Sequence, residues 1–164
     1  MFPEIKKILY ATDLSENAKY AFGYAASFSN RFGAAITVFH VIEELNPQIT
    51  FQMMDLLGEE KWRAIQNARK QETGELIRKR LEDFCKSEKV HNAACSFLVN
   101  EIKIATGHPV EEIIEEAHRG GYDLVVMGTH GHGILAGAMM GSTAMRVLRR
   151  SRIPVTVVRL EPEK

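Results

Sequence analysis

The stretch 123–150 contains the residue types and spacing that bind phosphate in proteins. A short apolar run, 124–127, predicts a fully buried strand, and a loop with five glycines follows it. Ser142 then opens a helical segment that continues to Arg150. Glycines let backbone N–H groups approach an anion, and the unpaired amides and dipole of a helix start attract negative charge. Strand, glycine loop and helix start together predict the phosphate half of a nucleotide site.

Two common nucleotide-binding motifs do not fit this loop. The stretch 137–143, GAMMGST, is one residue shorter than the G-x-x-x-x-G-K-[ST] pattern and lacks its lysine. Gly131-His132-Gly133 begins a dinucleotide fingerprint, but its last glycine position holds Ala136, and the run follows the fourth predicted strand rather than the first. What remains is the spacing Gly128-x2-Gly131-x9-Gly141-Ser142.

The elements that must position this loop alternate between strand and helix. An apolar strand over 7–11 is followed by Asp13, by Ser15 as a helix N-cap, and by a helix with an apolar stripe that stops at Gly33. Further strands are predicted at 35–41, 94–104, 124–127 and 153–159, and further helices at 59–88, 109–119 and 142–150. The segment 43–58 is the least regular and is interpreted as a flap over the site, a packing loop or an apolar contact surface.

Five strands alternating with four helices predict an open, doubly wound α/β sheet in one domain covering residues 1–164. Ligands in such sheets lie at the carboxyl ends of the strands. The loops with unusual chemistry are Thr12-Asp13 after the first strand and 128–142 after the fourth. The simplest arrangement therefore puts strands one and four side by side, with the site between them.

The loop spacing and several further stretches resemble the universal stress protein family. The similar stretches are KILYATDLSE, VFHVIEE, TGHPVEEIIEEA, DLVVMGTHG and GSTAMRVLRRSRIPVTVV. The nucleotide-binding branch of that family carries G-x2-G-x9-G-(S/T), which this chain matches without a gap. The resemblance implies a parallel sheet of order 3-2-1-4-5 with helices on both faces, like that of the adenine nucleotide alpha hydrolases, and ATP as ligand.

The resemblance also implies roles for single residues. The Asp13 carboxylate would bond a ribose hydroxyl, and the Val41 main chain would read the adenine edge. One departure is Ala11, which stands where some members have proline. The full set of residues implied to bind nucleotide is Ala11, Thr12, Asp13, Val41, Met127, Gly128, Thr129, His130, Gly131, His132, Gly133, Gly141, Ser142 and Thr143.

Several of these side chains also have simpler interpretations. Asp13 could cap the first helix, and His130 and His132 could face solvent. No Cys, Asp or Glu lies near that histidine pair in sequence, so Mg²⁺ or Mn²⁺ is expected on phosphate oxygens rather than on side chains. His40 is interpreted as a satisfied core or edge histidine. Ser142 lacks the surroundings of a hydrolase nucleophile, and no catalytic residue is assigned.

Charge and composition limit the classes of partner that the protein is expected to bind. Lysines and arginines equal aspartates and glutamates at 21 each, which disfavours broad nucleic-acid binding, and the arginines at 146, 149, 150 and 152 are expected on a solvated face. No apolar run is long enough to span a membrane. Cys85 and Cys95 are expected to be reduced thiols, and the protein is expected in the cytoplasm.

The leading functional hypothesis is an ATP-binding regulatory switch of the stress response, with slow or no hydrolysis. One alternative is a weak ATPase or nucleotide hydrolase that uses His130 or His132, and another is a nucleotide-free interaction module.

The last strand, with Pro154 to Val158, ends the predicted sheet and favours a homodimer by edge pairing, which the resemblance also implies. The protein partner is not indicated by the sequence.

Overall fold

A computed structural model describes residues 2–87, 99–129 and 140–159. The elements in chain order are β1 (Lys7–Thr12), α1 (Glu16–Phe32), β2 (Ala35–Glu43), α2 (Pro47–Leu57), α3 (Glu59–Ser87), β3 (Val99–Gly107), α4 (Pro109–Arg119), β4 (Leu124–Gly128), α5 (Ser142–Arg150) and β5 (Val155–Val158). Of the strand predicted at 94–104, residues 94–98 lie outside the described part of the chain.

The five strands form one parallel sheet of order β3-β2-β1-β4-β5. This order confirms the predicted arrangement, including the adjacency of strands one and four. β1 is central, and its Ala11 lies between Phe39 of β2 and Met127 of β4. Because both neighbours run parallel to β1, the carboxyl ends of all three strands meet at the same edge of the sheet.

Side chains alternate between the two faces of the sheet, and each face has its own core. Leu9 and Val125 point toward α4 and α5, whereas Ile8 and Val126 point toward α1 and α3, and all four are fully buried. A strand buried on both faces needs a continuous apolar run rather than an alternating one. The runs in β1 and β4 satisfy that requirement and explain why helices cover both faces.

The predicted helix ends of α1 are confirmed by its capping geometry. Ser15 has extended backbone and its side chain accepts a hydrogen bond from the Ala18 amide at 3.2 Å. At the other end Gly33 takes the left-handed conformation with φ of 65°. Local sequence therefore fixes where α1 starts, and this start lies directly after the candidate ligand Asp13.

The segment interpreted as a flap or packing loop contains the helix α2, so that interpretation needs correction. Asn46 caps the helix through its side chain, which accepts from the Gln48 amide at 2.9 Å, and Pro47 occupies the first turn. α2 has no buried residue, and Phe51 and Leu56 are 73% and 79% exposed. The Asn-Pro pair that suggested an irregular turn is in fact the start of a helix.

The apolar residues of the 59–88 helix predict an inner face made of Trp62, Ile65, Ala68, Leu76, Ile77, Leu81 and Phe84, and this prediction is only partly correct. Ile77 is buried, and Leu81 and Phe84 pack against the same core, but Ile65 and Leu76 are 48% and 41% exposed. α3 is much longer than the sheet it covers, so its first half extends past the core. An apolar stripe on a long helix thus does not show how far the packing extends.

Cys85 is disulfide-bonded, so the expectation of a reduced thiol is wrong for this residue. The sequence has one other cysteine, Cys95, which lies outside the described residues. No helix among the described residues has the length and apolar character needed to cross a membrane.

Candidate nucleotide-binding site

A cleft of about 790 Å³ opens at the carboxyl ends of β1, β2 and β4. Its volume falls within the range of about 300–1,000 Å³ that is usual for small-molecule sites. The implied nucleotide ligands that line it are Ala11, Thr12, Asp13, Val41, Met127, Gly128, Thr129, Gly141, Ser142 and Thr143. The remaining members of that set, His130, Gly131, His132 and Gly133, lie outside the described residues. Parallel strand ends therefore bring together residues that are more than a hundred positions apart.

Asp13 lines the cleft and also supports the start of α1. Its Oδ1 accepts hydrogen bonds from the Ser15 amide at 3.0 Å and the Ser15 hydroxyl at 2.7 Å. Ser15, not Asp13, is the N-cap of the helix. Asp13 therefore does not cap the helix itself but supports the residue that does, Ser15, while also lining the cleft.

Leu14, between Asp13 and Ser15, has a left-handed backbone with φ of 63°. Among the described residues it is the only non-glycine with positive φ, a conformation that costs about 1–3 kcal/mol for such residues. Its amide donates to the Thr12 hydroxyl at 3.1 Å, and its carbonyl accepts from the guanidinium of Arg80 on α3. The turn beside Asp13 is therefore held by specific contacts rather than by local preference.

The start of α5 lines the cleft and has backbone amides without an acceptor inside the helix. Gly141 is the N-cap and no side chain caps the helix. The Gly141 amide donates to the Thr129 carbonyl at 2.8 Å, and the Met145 amide donates to the Gly141 carbonyl at 3.0 Å. The first intrahelical bond thus leaves the amides of 142–144 without acceptors in the helix. These three N–H groups, rather than that of Gly141, are the ones the helix start can offer to an anion.

α3 contributes a set of cleft residues that sequence reasoning missed. Arg69, Thr73, Leu76 and Arg80 line the cleft and lie three or four residues apart, so they share one helical face. The many charges of α3 predict a solvated outer face rather than a ligand patch. Arg69 is exposed as expected and Arg80 is half-buried, but both arginines also line the cleft. Their spacing was a usable signal, but it does not tell which face of a charged helix meets the sheet.

His40 lines the cleft and makes the satisfied contact expected of it. Its Nδ1 lies 2.8 Å from the Thr12 carbonyl oxygen. A carbonyl only accepts, so Nδ1 carries the proton and donates. This bond ties β2 to the segment that leads into Asp13.

The arginines predicted on a solvated face are exposed. Arg150 forms a two-pronged ion pair with Glu111 of α4, with N–O distances of 2.5 and 2.7 Å. The hydrogen bond from Arg150 lowers the pKa of the Glu111 carboxyl. This pair joins α4 to α5 behind the cleft.

Among the described residues no three His, Cys, Asp or Glu side chains form a group that could hold a metal ion.

Comparison with known proteins gives a match over almost the whole chain. Residues 4–159 match the model of the universal stress protein family. The universal stress protein MJ0577 of Methanocaldococcus jannaschii is 33% identical over 165 residues, which cover 94% of each chain.

Solved structures agree on the fold. The structure of MJ0577 has a TM-score of 0.69 at 27% identity, and the match covers 98% of this chain and 100% of that chain. Universal stress protein UspA from Lactobacillus plantarum has a TM-score of 0.71 at 22% identity, and the match covers 96% of this chain and 100% of that chain. A universal stress protein in complex with cAMP has a TM-score of 0.60 at 21% identity, and the match covers 95% of this chain and 98% of that chain. The last two support the fold alone.

Proposed function

The chain belongs to the universal stress protein family, and on that premise we propose that it is an ATP-binding regulatory protein. The nucleotide acts as a switch, with slow or no hydrolysis, in a single domain that covers residues 1–164. The observation that carries the proposal is that Asp13, which follows β1, and the start of α5, whose amides at 142–144 have no acceptor inside the helix, line the same cleft.

The cleft has a suitable group for each part of the nucleotide. Asp13 at the end of β1 accepts from a ribose hydroxyl, and the Val41 main chain at the end of β2 meets the adenine edge. Met127 and Gly128 flank the ribose and first phosphate. The phosphate chain runs toward the N–H groups of 142–144, where the helix dipole also favours negative charge. His130, Gly131, His132 and Gly133 complete the phosphate loop in this proposal.

A divalent cation, Mg²⁺ or Mn²⁺, is held mainly by phosphate oxygens. Magnesium usually keeps several waters and takes few protein ligands when it binds with a nucleotide. That preference fits a cleft whose described carboxylates are Asp13 and Glu43, one on β1 and one on β2. The cation supplies charge neutralisation along the phosphate chain.

Binding rather than turnover fits the chemistry of the loop. Phosphoryl transfer needs positive charge on the transferred group and a residue that orients the attacking water. The segment 128–143 contains no lysine. In this proposal the nucleotide binds one conformation of the protein more tightly than another and so shifts the equilibrium between them, which is the condition for a switch.

Calorimetric titration with ATP, ADP, cAMP and GTP, each with and without Mg²⁺, tests the proposal. We expect ATP to bind and GTP to bind more weakly, since the Val41 main chain reads adenine. At a hundredfold excess over its Kd, the ligand stabilises the folded state by about 2.7 kcal/mol, which raises the melting temperature. A folded protein that gives no heat and no melting shift with any adenine nucleotide contradicts the proposal, and brisk turnover without a partner contradicts the switch.

We propose further that the chain forms a homodimer through β5, which has β4 as its single neighbour in the described sheet. The Val125 amide donates to the Pro154 carbonyl, and the Thr129 amide donates to the Val158 carbonyl, both at 2.9 Å. Backbone groups alternate in direction along a strand, so those of Val155 and Val157 point to the open edge. Such an edge pairs readily with a second copy about a two-fold axis.

Replacing Val157 with proline is expected to give monomers in sedimentation velocity. Proline removes the outward N–H and is tolerated on edge strands, so the contacts to β4 remain. Charged substitutions are less suitable because Val155 and Val157 both pack against the core. Val157→Ala loses the same packing but keeps the N–H and should remain dimeric. A dimeric Val157→Pro variant would place the interface elsewhere.

A further inference from the structure

The left-handed turn at Leu14 is contacted from outside its own segment by a long side chain of α3. Arg80 of α3 donates from Nη1 to the Leu14 carbonyl, across 66 positions of sequence. Local contacts also support this turn: the Leu14 amide donates to the Thr12 hydroxyl, and Ser15 donates to the Asp13 carboxylate. Local contacts of this type recur in many turns, and they do not fix the turn relative to the rest of the protein.

Leu14 and Arg80 also separate the cleft from a second cavity. This cavity, of about 310 Å³, lies between α1 and α3, and its apolar lining includes Tyr10, Phe22, Leu81 and Phe84. Both residues border both spaces. The turn therefore has open volume on two sides, and close packing alone does not determine its conformation.

The carboxylate of Asp13 depends on the turn that follows it. Its Oδ1 is bonded to the Ser15 amide and hydroxyl, so a change in Leu14 φ that moves Ser15 also moves the carboxylate. Arg80 is suited to prevent this change because a guanidinium is planar, always charged and preorganised for hydrogen bonds. A lysine at the same position has a single flexible ammonium group.

We propose that Arg80 is a positioning residue of the nucleotide site, which through the Leu14 carbonyl holds the Asp13 carboxylate in place for the ribose hydroxyls. This inference rests on the proposed ATP site but adds a residue from a different helix. Because Arg80 lies on α3, this bond connects α3 to the ribose end of the cleft.

The first test compares ATP with 2′,3′-dideoxyATP, which lacks both ribose hydroxyls, by calorimetry on the full chain. We expect Arg80→Ala to weaken ATP binding about tenfold, a loss of about 1.4 kcal/mol, and to leave dideoxyATP binding unchanged. The matched control is Arg78→Ala, an exposed arginine on the same helix, which should change neither. Arg80→Lys should lie between Arg80→Ala and wild type.

A second substitution separates positioning from direct contact with the ligand. Glycine adopts positive φ without penalty, so Leu14→Gly should lessen the need for the Arg80 bond. In the Arg80→Ala background, Leu14→Gly should therefore recover most of the lost ATP affinity. Equal weakening of ATP and dideoxyATP, or no recovery, would mean that Arg80 contacts the phosphates or supports the fold in general, and either result overturns the inference.

A readout without nucleotide keeps this inference distinct from the proposed function. Hydrogen exchange at the Ser15 amide, which is bonded to Asp13, should be about tenfold faster in Arg80→Ala than in wild type or Arg78→Ala. If wild type binds no ATP, the proposed function fails, while faster exchange still shows that Arg80 holds the turn. If wild type binds ATP but Ser15 exchange is unchanged in Arg80→Ala, the positioning role is wrong and the proposed function stands.

Discussion

Replacing Ser142 with proline is expected to weaken ATP binding by roughly ten- to a hundredfold while the protein stays folded. Proline removes one of the three open amides at the start of α5, and a hydrogen bond to a charged group contributes about 1.5–3 kcal/mol. The backbone accepts this change because Ser142 is the first residue of the helix, where proline is favoured. The preceding Gly141, with φ of −57° and ψ of 150°, has the conformation that proline requires of its neighbour.

The direction of the stability change makes this experiment decisive. A proline at a compatible site raises stability by about 0.4–1 kcal/mol because it restricts the unfolded chain. We therefore expect Ser142→Pro to melt at the same temperature or higher without ligand, yet to gain less from ATP. Ser142→Ala keeps the amide and removes only the hydroxyl, so it should lose only a few-fold in affinity. Equal affinities for the two variants would show that the Ser142 amide does not bind phosphate.

Asp13→Asn is expected to weaken binding of adenosine about tenfold. The amide oxygen can still accept from Ser15, so the start of α1 is retained, but a ribose hydroxyl then meets a neutral acceptor. Bonds to an ionised acceptor are about twice as strong as neutral ones, and a difference of 1.4 kcal/mol is a factor of ten. Adenosine is the right ligand for isothermal titration here, because it carries no phosphate charge whose repulsion by Asp13 could offset the loss.

The matched control for Asp13→Asn is Asp55→Asn, which changes the same charge on the exposed helix α2. It should leave adenosine affinity unaltered, and both variants should melt within a few degrees of wild type. If Asp13→Asn binds adenosine as tightly as wild type, the carboxylate does not accept from the ribose, and the assignment of the two ends of the cleft must be revised.

The framework of the cleft was predictable because its signals are local. Ser15 and Gly33 form the caps that mark the two ends of α1. The strands β1 and β4 are continuous apolar runs, so both of their faces must be buried, and this requirement places them in the middle of a parallel sheet. Once these strands are neighbours, Asp13 and Ser142 must face the same opening. The amides of 142–144 follow as well, because every helix start leaves such groups unpaired.

The α3 side of the cleft was not predictable for the opposite reason. Whether Arg69 and Arg80 face solvent or the cleft depends on how α3 lies on α1 and the sheet, and the sequence of a charged helix does not encode that rotation. The left-handed backbone of Leu14 is equally hard to predict, since leucine rarely adopts positive φ and one of its contacts comes from a residue 66 positions away. α2 was missed because a helix without buried residues has no apolar face directed at a core.

One hydrogen bond, from the Gly141 amide to the Thr129 carbonyl, joins the two points where the chain leaves β4 and enters α5. Because these anchors are tied to each other, insertions or deletions between them need not disturb the sheet or the helix. We therefore expect a change in the length of this connection to alter the spacing Gly128-x2-Gly131-x9-Gly141-Ser142, and with it phosphate binding, before it alters the position of β4 or α5.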